Sequence, residues 1–574
     1  MKQEWRVYSK RADFTAIGKR FNIDPVIARI IRNRDVCEMK DIDMYLNGTL
    51  ADLHNPRLMK DMDKAVDIMT KAIADNLKIR IIGDYDIDGI SSIYILFKGL
   101  TTLGADVDYD IPDRIVDGYG INENLIKKAY DDGRELIITC DNGIAAIDQI
   151  DYAKSLGMTV IVTDHHDVQY EEKDGARIYK VPHADAVVDP KQPDCSYPFK
   201  CLCGAGIAYK FICEMYDSHG VDPEFKKELL EMAAFATIGD IVDLLDENRI
   251  IVREGLKLIH KTRNIGLNYL IKVCKTEKSE IKAYHIGFIL GPCMNASGRL
   301  DTAKRALKLL LTSDDDEAFA LAADLKELND ERKKLTVDAV ERAVEEIDNG
   351  PLKDDKILVV YLPECHESIA GIVAGRIREK YYKPTIVLTK SEDGVKGSAR
   401  STEQYNIFEG LMECKEYLTK FGGHPMAAGL SLAEENVEVL RKALNDNCRL
   451  TEEDMIEKIW IDVPMPLEYT SYELINQLQL IEPFGKANTK PVLADKNLRV
   501  AYVTPLGKEG KYTRLSLVKD NGFKIPAVGF FPPDELMIAE KTGRRISCIY
   551  NPEINTFRGN STIQIQITSY RIED

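Results

Sequence analysis

Apolar residues recur every three to four positions through the first 75 residues, as in "DPVIARIIRNR" and "MDKAVDIMTKAIADN", and this spacing predicts helices. From Lys78 the pattern changes to short β-branched runs, "IRIIGDYD", "ELIITCDNG", "TVIVTDHHD" and "DAVVDP", separated by helical stretches such as "IDQIDYAKSLG". Such alternation predicts a parallel α/β sheet reaching about Val188. Residues 200 to 310 return to helical spacing. Leu321, Leu325, Leu328, Val340, Val344 and Ile347 then predict one long amphipathic helix that stops at Gly350 and Pro351.

Beyond it, "KILVVYLP", the helical "SIAGIVAGRIREKY" and the strand "PTIVLTK" announce a second α/β unit. After "EPFG" the runs "NLRVAYVTPLG", "KYTRLSLVKDNG", "KIPAVGFF" and "STIQIQITSYRI" predict a small antiparallel barrel. The expected division is a helical segment over 1–75 packing on the first α/β unit, that unit over 76–313, a connector helix over 314–350, the second α/β unit over 351–455 and the barrel over 456–574. The fold class is therefore α/β, with two α/β domains flanking a cleft and a β-barrel at the carboxyl end.

Composition adds limits. A chain of 574 residues with 44% apolar content builds several globular cores. No apolar run approaches a membrane span and "MKQEWRVYSK" lacks a secretory segment, so a cytoplasmic protein is expected. Twelve cysteines without a repeating spacing read as reduced thiols. The cluster Cys195, Cys201 and Cys203 has no CxxC pair, which favours buried or loop thiols over a zinc site. A formal charge of −17 argues against a broad basic face that coats duplex nucleic acid, while leaving room for a local groove.

The candidate chemistry lies at strand ends. Asp84, Asp86 and Asp88 close "GDYDIDG", Asp141 stands in "CDNG", and Asp164, His165 and His166 follow "TVIVT". In a parallel sheet these ends meet on one edge. Asp240 in "ATIGDIVDL" adds a fourth acidic segment. A single Asp after a strand is more often a cap or turn residue than a ligand, and Asp88, followed by Gly89 and a helix, reads equally as either. Coincidence favours ligands for the others, because so many clustered carboxylates repel one another unless a cation offsets them. Carboxylates with few histidines suit Mn²⁺ or Mg²⁺, and a bridging carboxylate holds two ions, the arrangement of phosphoester hydrolysis.

"GDYDIDG", "DNG", "TDHHD" and "IGDIVD", in this order, resemble the four motifs of the DHH phosphoesterase superfamily, and nearly the whole chain is similar to its RecJ-type exonucleases specific for single-stranded DNA. The resemblance implies metal ligands Asp84, Asp86, Asp141, His165 and Asp240, with His166 beside them as a transition-state group. Asp84 and Asp141 join His166 as the expected catalytic set. Many superfamily members place a histidine shortly before the first acidic pair, where this chain has Arg80, Ile81, Ile82 and Gly83. "KGSARS" and "FGGHPMAAG" resemble a DHHA1-type domain that grips the strand. The implied substrate contacts are Arg114, Asn295, Arg299, His366, Arg376, Ser398, Arg400 and His424, with Arg114, Ser398 and Arg400 anchoring a 5′-phosphate. Cys293 stands where an arginine is frequent in that family.

In the barrel, Arg499, Lys511 and Arg514 interleave with Tyr502 and Tyr512, the mixture by which an OB-fold tracks a single strand; a solvated hairpin with tyrosines in the core is the plainer reading. The expected function is metal-dependent 5′ to 3′ digestion of single-stranded DNA to mononucleotides in repair and recombination. Expected partners are the strand itself, a single-strand-binding protein and a RecQ-type helicase, with no membrane and a monomeric chain. The alternatives are a DHH phosphodiesterase for short RNA or dinucleotides and a noncatalytic strand-binding factor on the same scaffold.

Overall fold

The computed structural model describes residues 3–113, 120–173, 175–391, 394–507, 510–557 and 559–573. The chain opens with β1 (Gln3–Val7), α1 (Phe14–Phe21), α2 (Pro25–Asn33), α3 (Met39–Asn47) and α4 (Met62–Ala74). Met62, Ala65 and Met69 of α4 enter the core of the first α/β unit. By contrast, Ile27, Ile30, Ile31 and Tyr45 of α2 and α3 lie in one core with barrel residues Leu493, Leu515 and Ile567. Of the segment 1–75, expected to pack on the first α/β unit, α4 lies in that unit's core and α3 touches it, Arg249 Nε donating to the Tyr45 carbonyl at 2.8 Å, while the apolar faces of α2 and α3 share the barrel's core instead. Periodicity shows that a helix has an apolar face, and not which surface that face covers. Burying each of those isoleucines contributes about 1.5–3 kcal/mol.

β1 is a second correction to the all-helical reading. It runs parallel to β14, which is Glu457–Ile461, with Trp5 opposite Ile459. The two ends are also joined by a buried ion pair: Arg34 Nη1 donates to Asp462 Oδ1 at 2.7 Å and Nη2 to Oδ2 at 3.0 Å.

The first α/β unit contains β2 (Lys78–Gly83), α5 (Ile87–Thr102), β3 (Asp106–Asp110), α6 (Glu123–Asp131), β4 (Leu136–Cys140), α7 (Ile147–Ser155), β5 (Thr159–Thr163), a hairpin of β6 (Tyr170–Lys173) and β7 (Ala176–Tyr179), and β8 (Ala186–Val188). The sheet order is β3-β2-β4-β5-β8 and every pairing is parallel. All five residues of β4 are buried, as a strand covered on both faces requires. The strand order reverses between β2 and β4, and such a reversal opens a crevice at the carboxyl ends of the strands. α8 (Gly204–His219), α9 (Phe225–Gly239), α10 (Asp246–Ile259) and α11 (Ile265–Val273) follow, and the helices Gly291–Leu300 and Lys304–Leu311 bring the unit to the connector.

The connector helix Asp315–Asn349 starts where Asp314 Oδ1 accepts the Glu317 N–H at 2.7 Å. Its Ala318, Ala322 and Leu325 belong to the first unit's core, and its Ala339, Ala343 and Ile347 to the second's. The second sheet has the order β12-β13-β11-β10-β9, from β9 (Leu358–Tyr361), β10 (Thr385–Ser391), β11 (Gly394–Arg400), β12 (Lys420–His424) and β13 (Ala427–Leu432); its β9–β10 pairing is parallel and the others antiparallel.

After the short β15 (Val463–Pro464), the barrel uses β16 (Leu493–Leu506), β17 (Tyr512–Val518), β18 (Lys524–Gly529), β19 (Arg545–Phe557) and β20 (Asn560–Ile572). It closes in the order β16-β17-β18-β20-β19 and back to β16. The pairing of β18 with β20 is parallel, a departure from an all-antiparallel barrel.

Candidate metal centre and strand-binding surfaces

Four segments deliver acids and imidazoles to the crevice. Asp84 follows β2, Asp141 follows β4, Asp164 to His166 follow β5, and Asp240 follows α9. Their donor atoms form three overlapping trios, each within 4.8 Å: Asp84, Asp86 and Asp141; Asp141, His165 and His166; Asp88, His165 and Asp240. Asp141 belongs to two of these and so does His165. His165 Nε2 lies 3.0 Å from Asp141 Oδ1, 3.6 Å from Asp88 Oδ2 and 3.8 Å from Asp240 Oδ2.

Local backbone explains the convergence. Asp141 leaves its strand with φ of 60°, a left-handed conformation that aspartate tolerates better than most side chains. Gly204 opens α8 directly above it, and a Cβ there would lie 2.7 Å from the Asp141 Cβ. Asp86 caps α5, its Oδ1 accepting the N–H groups of Asp88 at 2.9 Å and Gly89 at 3.1 Å.

Asp88 is therefore not that helix's cap. Its carboxylate, buried, accepts the N–H groups of Gly204 at 2.6 Å and Ala205 at 2.8 Å, the positive end of α8. Asp88 thus joins both readings: it holds the N-terminus of α8, and one of its oxygens lies in the trio with His165 and Asp240. The sequence signal was its position as third acid of "GDYDIDG", and its partners 116 and 117 positions away were invisible there. Asp164 has no role in the ligand set that the motifs imply. The structure gives it one: its Oδ1 accepts a hydrogen bond from His166 Nδ1–H at 2.7 Å and its Oδ2 one from the Ile144 N–H at 2.9 Å, which orients the imidazole. Arg80, in the segment where many superfamily members carry a histidine, is occupied by Asp108 and Asp132 and adds nothing to the cluster.

The electrostatics divide the two histidines. Burial and the neighbouring His166 cation push His165 down to about 3, leaving a neutral imidazole that offers a lone pair. Burial also opposes charge on His166, but the Asp164 carboxylate, with Asp240 and Asp88 beyond it, raises it to about 9. Burial followed by the charge of Asp86 raises Asp84 to about 8, and burial followed by Asp88 raises Asp240 to about 8. Asp141 is driven upward by burial and four acids, Asp88 first. Carboxylates crowded and desolvated in this way carry more negative charge than the one cationic imidazole beside them, His166, balances.

The donor set fits a hard or borderline divalent cation. It comprises carboxylate oxygens and imidazole nitrogens with no thiolate in any trio among the described residues, and Asp84 Oδ1 is buried with no hydrogen-bond partner.

A cationic cavity of about 590 Å³ lies in the second unit, lined by Arg299 from the first unit together with Lys396, Ser398, Arg400 and Lys420, against the acid Glu367. Arg400 Nη1 donates to Ser398 Oγ at 3.1 Å and to the Ala399 carbonyl at 2.8 Å, and Arg299 Nη1 reaches the Ser368 carbonyl at 3.0 Å. Gly371 lets a helix start against this pair, since a Cβ there would lie 2.8 Å from both Arg400 Nη2 and Ser398 Oγ. Arg299, Ser398 and Arg400 are thus brought together.

The other expected substrate contacts are placed elsewhere. Asn295 faces the metal loop, its Oδ1 accepting the Ile87 N–H at 2.8 Å, so it braces the residues next to Asp86. His366 holds Ser368 Oγ at 2.7 Å, Arg376 is exposed outside the cavity wall, and His424 is exposed with its Nδ1 accepting the Met426 N–H. Arg114 lies outside the described residues.

On the barrel, Arg499, Tyr502, Tyr512 and Arg514 project from the outer side of the β16–β17 ladder, and the irregularity between Val500 and Tyr502 keeps Tyr502 outward. Tyr502 and Tyr512 are half exposed, so neither is a core residue. Lys511 is exposed just before β17.

A parallel sheet with acids and imidazoles at its strand ends is the arrangement of the DHH class, and residues 78–237 match the DHH family, N-terminal domain. Residues 354–450 match the DHHA1 domain and residues 461–569 the RecJ OB domain. The single-stranded-DNA-specific exonuclease RecJ of Bacillus subtilis is 36% identical over 100% of this chain and 71% of its own length. That of Dickeya dadantii is 30% identical, over 95% of this chain and 96% of its own. The crystal structure of RecJ in complex with Mn²⁺ from Thermus thermophilus superposes with a TM-score of 0.83 at 26% identity, covering 100% of this chain and 80% of that one. This chain belongs to the RecJ family.

Proposed function

We propose that this chain is a divalent-cation-dependent exonuclease that hydrolyses single-stranded DNA from the 5′ end to mononucleotides. The observation that carries the reading is the set of three overlapping donor trios sharing Asp141 and His165. Related RecJ structures were obtained with Mn²⁺ and with Mg²⁺, and this donor set suits either. Two such ions, when bound, activate a water and neutralise the charge that builds on the phosphoryl group.

The chain's own groups do the rest. Asp84, Asp86, Asp141, His165 and Asp240 hold the ions, with Asp88 beside them. His166, charged through Asp164, places a proton-bearing cation where phosphoryl oxygens gain charge. Ser398 and Arg400, with Arg114, anchor the terminal 5′-phosphate, and the distance from anchor to ions sets which ester is cut. A bidentate guanidinium suits that anchor.

The outward Tyr502 and Tyr512 beside Arg499, Lys511 and Arg514 support strand tracking by the barrel. On this reading the substrate arrives already separated, through a RecQ-type helicase and a single-strand-binding protein, and the chain works as a cytoplasmic monomer in repair and recombination. Among the described residues no helix is long and apolar enough to cross a membrane.

The test is digestion with Mn²⁺ of 5′-labelled and 3′-labelled DNA strands and a short RNA. Labelled mononucleotide appearing at once from the 5′ label, and only late from the 3′ label, is expected. Immediate release from the 3′ label, or a preference for short RNA, overturns the reading.

A further inference from the structure

Cys293 is the third residue of the helix Gly291–Leu300, and its side chain belongs to neither the metal cluster nor the cationic cavity. Its Sγ lies 3.7 Å from the Sγ of Cys274, which follows α11, so two of the twelve thiols touch. Both are free, and they differ in depth: Cys293 is wholly buried and Cys274 half-buried. Cys293 Sγ also accepts the Asn329 Nδ2–H at 3.3 Å from the connector helix. Asn329 Oδ1 in turn accepts Arg332 Nε–H at 3.1 Å and Nη2–H at 2.9 Å.

Two features separate this pair from thiols that only fill space. First, the sulfurs are unequal. The hydrogen bond from Cys293 holds Cys274 below the usual thiol range; burial opposes this, and the charges of Lys326 and Lys333 assist it. Cys293 is pushed the other way, by the same contact and then by burial. An accessible thiolate beside a buried, protonated thiol is the arrangement of an attacking sulfur with a resolving one. Second, the helix that carries Cys293 serves the site at two places. Asn295 supports the loop beside Asp86, and Arg299 lines the cationic cavity.

We infer that Cys274 and Cys293 form a site of reversible oxidation, at which a hydroperoxide closes a disulfide that displaces the helix Gly291–Leu300 and slows hydrolysis. The effect on hydrolysis rests on the exonuclease reading; the disulfide itself does not. With hydrogen peroxide, the Cys274 thiolate attacks one oxygen, the O–O bond breaks, and the sulfur becomes a sulfenic acid while hydroxide leaves and takes a proton from solvent. The Cys293 sulfur then attacks the Cys274 sulfur: the S–S bond forms, the S–O bond breaks, and the hydroxyl departs as water with the Cys293 proton. Two thiols have given up two electrons, and the peroxide has been reduced to water. The sulfurs must close from 3.7 Å to a bonded distance of about 2.05 Å, and Cys293 gives up its contact with Asn329. A shift on the order of 1 Å in a helix that positions catalytic groups is enough to cost turnover. In a reducing compartment such a bond is transient, which suits a switch and not a permanent cross-link.

The experiment treats the full chain with hydrogen peroxide, removes the excess with catalase, and then divides the sample. One part is digested without reductant for mass spectrometry, and the peptide holding Cys274 is expected to be joined to the one holding Cys293. The other part receives Mn²⁺ and a 5′-phosphorylated single strand; its rate is expected to fall about tenfold and to return with dithiothreitol. Cys274→Ser should hydrolyse normally before treatment and keep its rate after it. Cys293→Ser, which lacks the resolving sulfur, should hold a sulfenic acid at Cys274 that dimedone traps. Because Cys293 is buried, matching thermal unfolding curves are required of that variant, and Cys274→Ser decides the matter without it. Absence of the joined peptide overturns the site, and an equal loss of rate in Cys274→Ser, or a joined peptide with an unchanged rate, overturns the switch. No hydrolysis by the untreated chain is a different outcome: it removes the exonuclease reading, while the joined peptide still decides the thiol pair.

Discussion

The two α/β units solve opposite electrostatic problems with similar layers. In the first, a parallel sheet brings buried acids and imidazoles to one edge, and the crowding raises several carboxylates far above their ordinary range. In the second, a mainly antiparallel sheet presents Lys396, Ser398 and Arg400 from one strand to a cavity where cations predominate. The first is built to require positive charge and the second to receive negative charge. A phosphodiester strand with divalent ions satisfies both at once, and the connector helix, embedded in each core, keeps them in register.

Removing the metal side should have the largest effect. Asp141→Ala, which takes a shared donor from two trios, is expected to lower turnover by about three orders of magnitude or more while strand affinity changes only a few-fold. Normal single-turnover rates in that variant would erase the distinction between the units. On the anchoring side, Arg400→Ala should reduce the preference for 5′-phosphorylated over 5′-hydroxyl ends by roughly 10–100-fold, the worth of a charge-assisted contact. Competition between the two ends measures this, and an unaltered preference relocates the anchor.

Asp88→Asn is isosteric but keeps only one of the two acceptors that meet the start of α8 and removes the charge beside His165, so the Mn²⁺ concentration for half-maximal rate should rise about tenfold. An unchanged titration would return Asp88 to a purely structural role.

The smallest effect is a pH dependence. Asp84 and Asp240 have folded values near 8 and Asp88 near 6, against an ordinary 3.8, so the metal-free fold binds more protons than the unfolded chain between about pH 4 and 8. Stability from these groups falls as pH rises through that window, and a bound cation restores it. The rise in Tm on adding Mn²⁺ should therefore be a few degrees larger at pH 8 than at pH 6. Equal shifts at the two values would contradict the crowding described for the first unit.

Much of this was legible because the relevant signals are local. The runs in "ELIITCDNG" and "TVIVTDHHD" carry both the strand and the residues at its end, so sheet and cluster came together in one reading. Ser398 and Arg400 were legible only through the resemblance of "KGSARS", since glycine beside serine reads locally as a turn and not as the strand Gly394–Arg400 that carries them. What escaped depends on distant chain. Asp88 is defined by α8, Asn295 by a backbone N–H next to Asp86, and β1 by a partner strand that no periodicity in five residues can indicate.

The union of β1 and α1–α3 with the barrel has a consequence for biosynthesis. Asn33 and Arg34 leave the ribosome long before Asp462, the residue 429 and 428 positions later that satisfies them, so three helices must wait with Ile27, Ile30 and Ile31 uncovered. Nascent chains stalled before residue 462 should thus depend on chaperone cover, and the barrel liberated by proteolysis should precipitate for want of the lid that the opening residues provide.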